Sequence, residues 1–135
     1  MRKGEKMNIT IISKFVWGIR ANKNYSEFGK PNVIDDFVEG LSDNHRIDLG
    51  QSYFREKGDR LTSYPIIGIC VYKSKRFSNP NGFQDAFDIK EIQRNIKTAS
   101  DQLTPGILGD IQAFLKVKEL PGLYHVVYFE YSDHE

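Results

Sequence analysis

Ile66-Ile67-Gly68-Ile69-Cys70-Val71-Tyr72 is apolar at odd and even positions alike, the pattern of a strand covered on both faces inside a sheet. Pro65 stands at its front edge, where a strand tolerates the missing N–H. Further along, Leu123-Tyr124-His125-Val126-Val127-Tyr128-Phe129-Glu130-Tyr131 is rich in β-branched and aromatic residues, the types that fit a pleated surface. Near the N-terminus Ile9, Ile11, Phe15 and Trp17 share one parity, with Ser13 as the gap, so the period is again two. A fourth run leads from Arg46-Ile47-Asp48-Leu49 through Gly50 to Tyr53 and Phe54, and Lys57-Gly58-Asp59-Arg60 separates it from the Pro65 run as a hairpin loop. The expected strands are 8–17, 46–55, 65–73 and 123–131.

The remaining apolar residues recur at helical spacing. Val33, Ile34, Phe37, Val38 and Leu41 make one face after Asn32, a good N-cap, and Asp35 and Asp36 lie in the first turn, where the helix dipole favours negative charge. Asp88 and Glu91 have capping-box spacing ahead of Ile92, Ile96, Ala99 and Leu103. Thr104-Pro105 then supplies an N-cap and a proline at N1 for Ile107, Leu108, Ile111, Phe114 and Leu115. Helices are expected at 33–41, 88–102 and 105–117. The order strand, helix, strand, strand, helix pair, strand specifies an α+β fold. An antiparallel sheet of four to five strands carries helices on one face, in the ferredoxin-like β-α-β-β-α-β order. A fifth strand arises if Ser13 breaks the first. No linker or repeat divides the chain, so residues 1–135 read as one domain, with 1–7 a flexible basic N-terminus.

Composition narrows the function. With 39% hydrophobic, 27% charged and 13% aromatic residues, collagen-like and wholly disordered classes are excluded. Neither a membrane-spanning run nor a signal-peptide core follows the basic start, so the expected location is cytoplasmic, with no membrane partner. The net charge of +1 conceals alternating blocks: residues 1–30 carry seven Lys/Arg against two Asp/Glu, 31–52 one against five, 53–81 six against two, and 82–135 five against nine. Blocks that map to separate faces make a dipolar surface.

Most catalytic chemistries lack their residues. His45, His125 and His134 have no metal-ligand spacing, and the single Cys70 cannot join a multi-cysteine site; neither a metal nor a cofactor is expected. Cys70, among aliphatics, reads as a buried, inert thiol. His125 reads as a half-buried strand residue making one hydrogen bond. The glycines form no phosphate loop, and Gly106 and Gly109 suit a helix that approaches a neighbour closely. Asp35, Asp36 and Glu39 form an acidic helix face able to meet a cation or a basic partner, although a solvated face is the plainer reading.

The chemistry-bearing constellation is Tyr72-Lys73-Ser74-Lys75-Arg76-Phe77, continuing through a turn at Asn79-Pro80-Asn81-Gly82 to Phe83. Joined by Arg55, Lys57 and Arg60 from the neighbouring hairpin arm, it interleaves cations with aromatics, as phosphates and stackable bases require. Nine Phe, seven Tyr and one Trp exceed what this core needs, and Tyr25, Phe28, Tyr53, Phe54, Phe77 and Phe83 lie in or beside polar segments, where interface anchors are found. A binding protein is therefore favoured over an enzyme. The leading expectation is a small inhibitor of toxin-immunity or anti-defence type that occludes a protein partner, with a homo-oligomer left open. The alternative is a nucleotide- or RNA-binding domain, with a phosphodiester-processing enzyme as its catalytic variant.

Overall fold

The computed structural model describes residues 7–29, 32–54, 63–77 and 87–133, with the backbone alone at 7, 8, 54, 77 and 131–133. Strands β1 (Met7–Arg20), β2 (Gly50–Phe54), β3 (Tyr64–Phe77) and β4 (Gly122–Asp133) form a four-stranded antiparallel sheet in the order β2-β3-β1-β4. Helix α1 (Val33–His45) joins β1 to β2, and α2 (Ile89–Gln102) with α3 (Pro105–Leu115) joins β3 to β4. The architecture is α+β.

Local chemistry accounts for the helices. Ile34, Val38 and Leu41 are the buried stripe of α1. Arg46 ends that helix in the left-handed conformation, φ 53°, with its N–H donating to the Ser42 carbonyl, a C-cap that closes the last turn. Residues 46–49, expected as strand, instead carry the chain out of this cap, and β2 begins only at Gly50. Asp88 caps α2 by accepting the Glu91 N–H at 3.1 Å, and the Thr104 hydroxyl caps α3 by accepting the Ile107 N–H at 3.5 Å. Gly106 and Gly109 face open space rather than a close neighbour. Their expected packing role is therefore absent.

One sheet face packs against the helices. Ile19, Ile67, Ile69 and Val71 join Ile34, Val38, Leu41, Ile92, Leu103, Ile107, Ile111 and Leu115 in the core. Ile12, Val16 and Ile66 belong to the opposite parity and lie outside that cluster, yet are 0, 2 and 0% exposed. The register aligns a glycine from every strand, Gly50 with Gly68, Gly68 with Gly18, and Gly18 with Gly122. A Cβ on Gly18 would lie 2.6 Å from Gly68 Cα and strike the Ile67 carbonyl oxygen; one on Gly68 would strike the Trp17 carbonyl oxygen. With no side chains to separate them, β1 and β3 fold together here. Consequently β2 and β4 come within 8 Å at Cα although two strands lie between them. The face without a helix among the described residues is the concave one.

β1 runs unbroken through Ser13, so the described sheet has no fifth strand. At about 3.3 Å per residue the 14 residues of β1 span roughly 46 Å, whereas the 14 of α2 span roughly 21 Å. The far end of the sheet, with Val127 and Phe129 on its helix side, accordingly stays exposed.

The glycine row yields a stability test by urea denaturation. Gly18→Ala and Gly68→Ala should each cost about 2 kcal/mol or more, the range of overpacked sites. Gly50→Ala, which meets nothing within 4 Å, should stay within about 0.5 kcal/mol of the parent.

Candidate binding face

The lysine run of β3 is placed by an irregularity. Val16 pairs with Cys70 but Phe15 pairs with Tyr72, so Val71 is an extra residue on β3, a β-bulge. Before it, Ile66, Gly68 and Cys70 face the concave side; after it, Lys73 and Lys75 do. β3 also continues to Phe77 instead of ending near residue 73, because Thr10–Lys14 of β1 remain available to pair with it.

A disrupted ladder leaves backbone groups to be satisfied. Asn95 of α2 meets one of them, its side-chain amide donating to the Val71 carbonyl at 2.7 Å. Tyr72 turns toward the helices, where its hydroxyl accepts the Asp88 N–H at 3.4 Å. There it joins Phe15, Phe87 and His125. Phe15 stacks on His125 at 4.4 Å and 3° and meets Phe87 edge-on at 5.0 Å. His125 is thus held by ring stacking rather than by the hydrogen bond expected, and burial lowers its pKa from 6.5.

Beyond the bulge, Lys14 of β1 lies directly opposite Lys73, with Val126 of β4 on its other side. The next row is Lys75, Ile12 and Tyr128. Like charges set opposite each other on adjacent strands repel, and no carboxylate among the described residues is paired with Lys14, Lys73 or Lys75. Lys73 and Lys75 are exposed and Lys14 is half-buried. On the same face Tyr124 precedes Tyr128 along β4 with Val126 between them, its ring 3.7 Å from where a Gly122 Cβ would be, and Arg20 lies 5.1 Å over the Tyr64 ring. Glu130, opposite Thr10, is the carboxylate among the described side chains of this face. The arrangement is a concave basic surface bordered by tyrosines.

Several expected members of the patch fall elsewhere. Arg76 pairs with Ile11 and lies on the opposite face from Lys73 and Lys75, because residues alternate along the strand. Phe77 ends β3 with its backbone opposite Thr10, and Arg55, Lys57, Arg60 and Phe83 lie outside the described residues. Lys14, Tyr124 and Tyr128 join the face without belonging to the basic-aromatic run of the sequence. Their even parity beside Ile12, Val16 and Val126 was the available signal.

Cys70 is exposed, not buried: β2 reaches only as far as Gly68, so β3 is itself the sheet edge at Cys70. Asp35, Asp36 and Glu39 are exposed on α1, and no group of residues able to hold a metal occurs among the described ones. Tyr25 and Phe28 are packing residues. Tyr25 meets Tyr53 edge-on at 5.0 Å, and Phe28 stacks on Phe114 at 5.9 Å. Tyr53 of β2 keeps an exposed ring, as expected of an anchor; Ile89 and Leu120 are exposed singly, and the remaining exposed apolar side chains, Leu123, Val127, Tyr128 and Phe129, gather on β4. Among the described residues no helix is long and apolar enough to cross a membrane. Compared with protein-family models, curated proteins and solved structures, the chain matches none.

Two measurements test this arrangement. Asn95→Ala strands the half-buried Val71 carbonyl and should cost about 1–3 kcal/mol in denaturant unfolding, the penalty of an unmet acceptor. For His125, the native state disfavours the proton that the unfolded chain accepts near pH 6.5. Its share of stability is therefore complete above that pH and is lost as pH falls from there to the lowered native value. His125→Phe should remove that part of the acid destabilisation, and the imidazole should titrate below 6.5 by NMR.

Proposed function

We propose that the chain is a small cytosolic binding protein whose concave sheet face takes a single-stranded nucleic acid, RNA first. The observation that carries this reading is the juxtaposition of Lys14 with Lys73 across β1 and β3, one row from Lys75 and Tyr128. A phosphate between opposed lysines relieves their repulsion, and tyrosine rings offer bases a sequence-tolerant stacking surface. The element order and the β2-β3-β1-β4 strand arrangement support a ferredoxin-like assignment, a fold that hosts many unrelated functions and so implies none by itself.

A second reading, the occluding inhibitor of toxin-immunity or anti-defence type, is favoured by the apolar side chains exposed along β4. Such groups anchor protein partners in desolvated centres. A protein partner of that kind would be lost on Phe129→Asp and retained on Lys73→Glu.

Fluorescence anisotropy with a twelve-nucleotide polyuridine across a salt series separates the two readings. The affinity should fall with salt, and the Lys73→Gln/Lys75→Gln double variant should flatten the log–log slope by about 1.4, roughly 0.7 per lost phosphate contact. Tyr128→Ala should weaken binding by about 1–3 kcal/mol with little change in slope. Arg76→Gln, on the other face, should cost less than either lysine. Absence of binding at low salt, or unchanged binding in the double variant, rejects the nucleic-acid reading and leaves the lysines as guards of an exposed strand edge.

A further inference from the structure

The described sheet leaves three stretches of strand edge, and two of them are protected. β2 is only five residues long. The part of β3 beyond Gly68 is kinked by the bulge and carries Lys73 and Lys75. Short length, bulges and lysines are the usual means of preventing edge-to-edge pairing. β4 has none of them. Its ladder with β1 runs from Met7–Asp133 to Gly18–Gly122 without a register shift, and residues 122–133 contain neither proline nor lysine. Among the described residues its outer edge, approached by β2 only toward the Gly122 end that shares the glycine row, is therefore a long, regular row of backbone donors and acceptors.

The side chains along that edge match one another. Leu123–Phe129 carries no Asp, Glu, Lys or Arg, and Leu123, Val127, Tyr128 and Phe129 are 42, 46, 37 and 53% exposed. An antiparallel two-fold pairing centred on Val126 sets Leu123 opposite Phe129 of a second copy, Tyr124 opposite Tyr128, and His125 opposite Val127. Each pair shares a parity, so concave face continues into concave face. Apolar and aromatic residues directly opposed in this way are favourable cross-strand partners. We infer that β4 is a homodimer interface, joining two copies into one continuous eight-stranded sheet. This symmetry is isologous, so it closes at two copies.

Sedimentation equilibrium between 1 and 100 µM tests the proposal. The chain should approach twice its 15.6 kDa mass. Val127→Lys/Phe129→Lys, at exposed positions, should remain folded by circular dichroism and sediment as a monomer. In a Cys70→Ser background, Val126→Cys should form an intermolecular disulfide under mild oxidation, since Cα atoms directly opposite in an antiparallel pair lie within disulfide reach. Glu130→Cys should not, because its opposite neighbour is Gly122. A monomer throughout the range overturns the proposal and leaves the edge for a strand of another protein. A dimer that survives the double lysine variant, or one that Val126→Cys fails to cross-link, also overturns it.

Discussion

The hydrogen bond from Asn95 to the Val71 carbonyl secures the one extra residue on which the two faces of the sheet depend. An inserted residue reverses the side to which every later side chain points. Without it, Lys73 would oppose Ser13 beneath the helices, and Tyr72 would sit on the concave face opposite Lys14. With it, the cations leave the core and the tyrosine enters it. A helix side chain thereby acts at a distance on a surface it does not touch. It stabilises the bulge, and the bulge apportions charge and aromatic rings between the two faces.

The glycine row is the complementary constraint. Gly18 and Gly68 approach so closely that neither has room for a methyl group, and this approach lets a four-stranded sheet curl. On the concave side Ile12, Val16 and Ile66 are buried with no helix of the described residues above them. The molecule thus has a thick core between sheet and helices and a thin one in the hollow of the sheet. The basic surface lies on the same concave side, with Ile12 buried in its floor between Lys75 and Tyr128.

Much of this architecture was legible in the residues. Ile34, Val38 and Leu41, the Asp88 and Thr104 caps, and the β-branched run after Gly122 specify their elements through neighbours a few residues away. Strand ends were less legible, since Arg46 and Lys73–Phe77 depend on a helix cap and on a distant partner strand. The binding face was the least legible part. Period-two reasoning carries a strand's parity correctly only until a bulge, and neither the Val71 insertion nor its Asn95 support leaves a local signature. The exposure of Cys70 is hidden for a related reason. Its aliphatic neighbours signal an interior strand, but β2 is too short to cover that position. Lys14 carries no local signal of its pairing, because its significance lies in the residue across from it, not in those beside it.

The central position of β1 has a consequence for how the chain reaches this structure. Both of its neighbours are encoded later: Gly18 pairs with Gly68 on one side and with Gly122 on the other. As the polypeptide leaves the ribosome, β1 therefore has no partner from the described sheet until β3 has been synthesised, and its second edge waits for β4. Pairings of such sequence separation impose a large loop-closure cost before they return any stabilisation, and they slow folding. Throughout that interval a 14-residue strand rich in isoleucine and aromatics is open on both edges, the situation in which nascent chains aggregate or recruit chaperones.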